Sequence, residues 1–365
     1  MDERVLLGMT AIVIGAVVGV ALFVPFVALS YRRRGHLSVP RTMLWAAALV
    51  YFWAIWTYTL LPLPDPDSIR CVGVVTDPIE IVRDVRTALA APGRTLTHPA
   101  VLQLVFNVLL FVPLGFLLRV LGGRRLLAAL LIGLGLSLFV ETTQLTGVWG
   151  IYPCAYRFFD VGDLMTNTVG AGVGSIVGLV VPAAHRGLAK AADADLPRPV
   201  TRGRRALAML CDGLGFVLAS WTVSVAVQLF LQYVLEERQA VLDGTVAGLA
   251  GTGGAALLWL IVILVSGQSV GDLAVRLRYA GGPMPVFVAR LLRWAGGVAA
   301  LSALSMAGGA FGSLSSALIL IACVMFFFTR NGRGLPGVLS SQHLVDARVD
   351  RRKAAQAPSA RPARQ

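Results

Sequence analysis

The chain has 365 residues, of which 56% are hydrophobic and 14% charged, with a formal net charge of +13. Soluble proteins carry roughly a quarter charged residues, and a mean hydropathy of +0.75 leaves too little polar surface to face water on all sides. The composition therefore excludes soluble enzymes, strand-built folds, Rossmann sheets and zinc modules, and it specifies an all-α protein, a polytopic transmembrane helical bundle. Nor does the positive charge point to nucleic acid. Every basic residue except Lys190 and Lys353 is arginine, and the arginines lie between apolar runs rather than on one face.

A membrane-spanning helix needs roughly 20 mostly apolar residues. Runs of that kind fall near 5–30, 43–61, 100–121, 126–146, 162–183, 206–235, 244–266, 290–309 and 313–329, the last two short enough to be one span plus an interfacial helix. Eight or nine spans result, in two helical units. The first run is followed by Arg32, Arg33 and Arg34 without a small-residue cleavage site, so it reads as an anchor. Arg32 to Arg34 with Arg41, then Arg124 and Arg125, the stretch 184–205 and the tail from Arg330 are basic. Segments 62–98 and 236–243 carry the acids instead. Positive loops stay cytoplasmic, which places the N-terminus outside and the C-terminus in the cytoplasm of a multi-pass plasma-membrane protein. The expected organisation is a five-helix membrane domain over 1–185, a cytoplasmic linker over 186–203, a second membrane domain over 204–347, and a disordered basic cytoplasmic tail over 348–365.

Cys211 and Cys323 fall within spans, whereas Cys71 and Cys154 fall in loops on the oxidising side. A Cys71–Cys154 bridge and two unpaired thiols are about equally expected. In the first exterior loop, Asp77-Pro78-Ile79-Glu80 resembles a helix start. Ile79, Val82, Val85 and Leu89 then recur at helical spacing, which predicts an amphipathic surface helix.

Ionisable groups inside a span are costly and mark function by default. Two carboxylates fall inside spans, Glu141 and Asp212. Glu141 and Gln144 share a face of the fourth span. Arg157 follows in the next loop, and Asp160, Asp163 and Asn167 form one stripe opening the fifth span. Asn107 enters the third span from the same side, ahead of Pro113, which is expected to kink that helix. Asp160 and Asp163 suit helix capping, with Arg157 as their neutraliser, but capping leaves Glu141 and Gln144 unexplained; Arg157 is the nearest candidate partner for Glu141. Gly170, Gly174 and Gly178 read as a packing ridge.

These residues carry a resemblance. Asn107 with Phe111, Pro113 and Gly115, then Glu141 with Gln144, then Arg157, Asp160, Asp163, Asn167 and Gly170 resemble the VanZ-like family over roughly residues 40–185. The resemblance implies a bacterial cell-envelope role and a link to glycopeptide (teicoplanin) resistance. Further on, Arg205, Ala208 and Asp212, the loop Gly267-Gln268-Ser269-Val270-Gly271 and the segment Arg333-Gly334-Leu335 are similar to the RDD family over roughly 204–347. Asp272 stands where that family usually has a basic residue, and Pro336-Gly337 where it commonly has His-Asp. The pair Arg205 and Asp212 is either a structural pair or part of an inner site.

Two functions are expected. In the first, an outer-leaflet polar pocket of Asn107, Glu141, Gln144, Arg157, Asp160, Asp163 and Asn167 binds the head group of a lipid-linked wall precursor, or a glycopeptide that targets it. In the second, Glu141 and Asp212 titrate in a proton- or cation-coupled transporter. Membrane lipids are the general partners. No nucleophile sits with a base, no histidine lies near the cluster, no metal-ligand spacing occurs and no nucleotide-binding loop is present. Catalysis, metals and cofactors are therefore not expected, nor is a nucleic-acid partner.

Overall fold

The computed structural model describes residues 3–61, 63, 69–90, 98–307 and 311–349. Eight of its helices are long and apolar enough to cross a membrane, from Ile12–Arg34 to Val286–Ala307, and Leu314–Phe328 is a shorter apolar helix. Each span buries only 6% to 39% of its most apolar window. Most of that apolar surface is left for lipid, as a polytopic membrane protein requires.

The chain divides into two compact units, one of Met1–Gly19 with Ser38–Ala189 and one of Val20–Leu37 with Lys190–Gln365. The first helix, α1 (Glu3–Arg34), gives its opening turns to the first unit and the remainder to the second.

The first unit continues with α2 (Val39–Leu60), strand β1 (Val74–Val75), α3 (Glu80–Ala90), α4 (Pro99–Val120) and α5 (Leu126–Leu145). A single turn α6 (Gly147–Gly150), strand β2 (Phe159–Asp160) and α7 (Val161–Val177) complete it. The amphipathic loop helix is α3. Asp77 Oδ1 accepts from the Ile79 N–H at 2.9 Å and pairs with Arg83, while Ile79, Val82 and Leu89 stay exposed. Helix α4 runs through Pro113 and packs on α7 with no side-chain cushion. A Cβ on Gly115 would sit 1.8 Å from the Ala171 carbonyl oxygen, one on Gly170 2.2 Å from that of Val108, and one on Gly174 1.8 Å from that of Val112. Small residues permit such backbone contact between membrane helices. In α6, Gly147, Val148, Trp149 and Gly150 all have positive φ, so the turn is left-handed. A β-branched Val148 there costs about 1–2 kcal/mol.

The second unit holds α8 (Arg202–Tyr233), α9 (Arg238–Asp243), α10 (Thr245–Ser266), α11 (Val270–Val275), β3 (Leu277–Ala280) and α12 (Val286–Trp294). A π-helical segment, Ala295–Ala299, leads into α13 (Ala300–Ala307), followed by α14 (Phe311–Phe328), α15 (Gly334–Leu339) and β4 (His343–Asp346). Strands β3 and β4 pair antiparallel, with Leu277 opposite Asp346. Val27, Tyr31, Cys211, Val275, Leu277 and Leu344 form the buried core.

That core is closed by an ion-pair network. Arg204 bonds Asp346 at 2.8 Å and the carbonyls of Val275 and Arg276, and its guanidinium lies 5.5 Å from the Tyr31 ring centroid. Arg348, at the start of the segment expected to be disordered, is buried. It bonds Asp346 at 2.6 Å and the carbonyls of Gly35 and Ala194. A guanidinium with five donors finds its acceptors at a strand end, so order extends to Arg348. From residue 350 the tail lies outside the described residues.

Candidate functional site

Two helix ends build the site in the first unit. The last carbonyls of a helix lack intrahelical partners, and those of α2 are met by side chains. Gln144 Nε2 donates to the Thr59 carbonyl at 2.6 Å, Arg157 to the same oxygen at 3.3 Å, and the Tyr156 hydroxyl to the Leu60 carbonyl at 3.3 Å. Opposite them, α7 begins. Asp160 caps it, its Oδ1 accepting from the Gly162 N–H at 2.7 Å. The Asp160 N–H itself donates to Glu141 Oε2 at 3.1 Å. Burial pushes the Tyr156 hydroxyl pKa up, against the opposing pull of Arg157.

Further along α7, Asn107 Nδ2 donates to Asp163 Oδ1 at 2.6 Å, and Gln103 reaches the same carboxylate. One turn deeper, Asn167 Nδ2 donates to the Ser137 hydroxyl at 2.9 Å. The Asn167 carbonyl oxygen is buried with no hydrogen-bond partner. An unmet buried acceptor costs about 1–3 kcal/mol.

The loops over this end are tied down. Cys71 and Cys154 form a disulfide with their Cα atoms 5.6 Å apart. Beside it β1 pairs parallel with β2, Val75 opposite Asp160. These links hold Arg157 and Asp160 over the mouth of a cavity of about 740 Å³. Asn107, Glu141, Gln144, Arg157, Asp160, Asp163 and Asn167 all line it.

The structure corrects one expected pairing within this set. Glu141, only 3% exposed, takes the Asp160 backbone N–H, and Arg157 turns to the α2 terminus instead. The N–H at a capping position has no intrahelical acceptor, and α7 delivers it to Glu141. Among the described residues no arginine, lysine or histidine is ion-paired with Glu141, Asp160 or Asp163. Sequence reading missed Thr59, Tyr156, Ser137 and Gln103. Among the described residues, no three His, Cys, Asp or Glu side chains gather as a metal site.

In the second unit, Arg205 and Asp212 are not bonded to each other. Seven residues of helix separate them by about 10.5 Å along the axis, and the loop ahead of α11 enters between. Arg205 bonds Asp272 Oδ1 at 2.6 Å. Asp212 accepts from Trp259 Nε1 at 3.0 Å, the Ser269 hydroxyl at 2.6 Å and the Gly271 N–H at 2.8 Å. Asp272 also closes a capping box with Ser269.

Fold and site together define a polytopic membrane protein with a polar cavity at one end of its first helical unit. Residues 48–182 match the model of the VanZ/LLP1 family, so that segment is similar to VanZ-like membrane proteins. The match covers every residue lining the cavity and includes none of the second unit. No curated protein and no solved structure matches the chain.

Proposed function

We propose that the first unit is an envelope receptor whose cavity binds the polar head group of a lipid-linked wall precursor, or a glycopeptide that targets one. With the N-terminus outside, as the arginine distribution suggests, the cavity opens on the outer leaflet. The observation that carries this reading is a buried carboxylate, Glu141, and a half-buried one, Asp163, facing a cavity of about 740 Å³ without an ion-paired cation among the described residues. Such a volume falls within the roughly 300–1,000 Å³ of small-ligand sites. The carboxylates and the unmet Asn167 carbonyl oxygen call for donors, which sugar hydroxyls and peptide amides supply. Arg157 at the mouth offers a bidentate group for phosphate or carboxylate. The second unit, with its RDD-like motifs, serves as a partner module.

The test is teicoplanin susceptibility of a strain lacking the chain, complemented with wild type, Glu141→Gln or Asp163→Asn at matched membrane abundance. Protection by wild type and its loss in either variant supports the receptor. Equal susceptibility in all strains overturns it. Proton-coupled flux that disappears with Glu141→Gln would instead assign the carboxylate to transport.

A further inference from the structure

The second unit has a cavity of its own, about 460 Å³, whose walls and floor differ in character. Met209, Phe216, Val298, Leu301, Leu318 and Ile319 make the walls apolar. The floor carries Arg205, Arg293, Asp212, Asp272 and Tyr279. Charged groups inside spans are costly and point to function, and here the hydrogen-bond inventory says which function.

Both carboxylates are satisfied. Asp212 holds three neutral donors, and Asp272 holds Arg205 together with the backbone N–H of Ser269. The arginines are not. Arg205 and Arg293 are 7% and 6% exposed, and the Nε–H of each is buried with no acceptor. Arg293 donates to the Gly267 carbonyl at 2.9 Å, and its guanidinium lies 4.7 Å from the Tyr279 ring centroid. Among the described residues it has no ion-paired carboxylate. The floor therefore has two guanidinium N–H donors without acceptors, while each carboxylate already holds at least two donors. Gly296 and Gly297, on the π-helical segment, also line the cavity. Such bulges are frequent at functional sites.

From this geometry we infer that the second unit binds a single-chain amphiphile, its acyl chain against the apolar wall and an anionic head oxygen on Arg293 and Arg205. A fatty-acid carboxylate and a lysophospholipid phosphate share this chemistry. The inference is independent of the first unit's cavity.

Equilibrium binding of radiolabelled oleate, 1-oleoyl-lysophosphatidylglycerol and oleyl alcohol to the purified full chain in a neutral maltoside detergent tests it. At least one anionic amphiphile should bind about tenfold or more tightly than the alcohol, the scale of a charged hydrogen bond. Preference for oleate identifies a carboxylate ligand, and preference for the lysolipid a phosphate one. Arg293→Gln should remove that advantage and leave the alcohol unchanged, while Arg293→Lys should keep part of it. Leu318→Trp, which alters only the wall, should weaken all three and keeps the test open if the arginine variants fail to fold. Equal binding of anion and alcohol, an equal shift of both in Arg293→Gln, or no binding at all overturns the inference.

Discussion

Two buried carboxylates, Asp346 in the second unit and Glu141 in the first, are held in opposite ways. In the second, Asp346 and Asp272 are held by arginines, and Arg204 and Arg348 converge on one carboxylate. In the first, Glu141 and Asp163 are held by a backbone N–H and by amides. A carboxylate closed in by guanidinium groups is part of the frame, because removing one partner strands a buried charge. A carboxylate held by amides keeps lone pairs for something else. At Asp346 and Glu141 the contrast separates a polar group that holds the fold from one that faces a cavity, and composition alone does not distinguish them.

The largest test of that contrast is Asp346→Ala. It should destabilise the second unit by about 3–5 kcal/mol, the cost of breaking a buried pair, read as a large fall in the thermal midpoint of the detergent-solubilised protein. Unchanged melting would place Asp346 outside the frame.

Acid should act on the same residue. Burial raises the Asp346 carboxyl pKa, but hydrogen bonds from Arg348, the Arg198 N–H and Arg204 outweigh it and hold the group down at about 2. Its contribution is present above the unfolded carboxylate pKa near 4 and is lost as pH falls toward 2. It amounts to about 2 kcal/mol. Melting profiles between pH 5 and 2.5 should show this loss in wild type and a reduced one in Asp346→Asn.

Ser137→Ala leaves the Asn167 amide without its acceptor and should cost the first unit about 1 kcal/mol, measured by denaturant or heat. The smallest stability change belongs to Glu141→Gln. The amide oxygen still accepts from the Asp160 N–H, so the loss should stay below about 1 kcal/mol even where ligand binding disappears. A collapse of that variant comparable to Asp346→Ala would erase the distinction between the units.

Much of this was legible in the sequence. All nine apolar runs are helices, eight of spanning length, because a 20-residue apolar run has few other fates. The residues lining the first cavity were also legible as a set, since helical spacing brought Asp160, Asp163 and Asn167 onto one stripe. Their partners were not. Gln144 and Arg157 bond the carbonyl of Thr59, and a backbone carbonyl has no sequence signature. Arg205 bonds Asp272, 67 residues away, instead of the same-face Asp212. Local periodicity places side chains on faces, but the choice between two acids depends on where a distant loop enters. Arg348 went unread as an anchor because a charged segment near a chain end looks like solvated tail.

The glycine seam between α4 and α7 bears on how the first cavity can respond to a guest. Asn107 stands on one side of that seam, Asp163 and Asn167 on the other, and at Gly115, Gly170 and Gly174 the two backbones touch directly. A wall made this way has almost no give, since no rotamer can change to let the helices part or close. Any adjustment of the cavity to its contents falls to its other walls, lined by side chains of α2, α3 and α5. The cavity thus has one face that sets spacing, and its fit is left to side chains on the others.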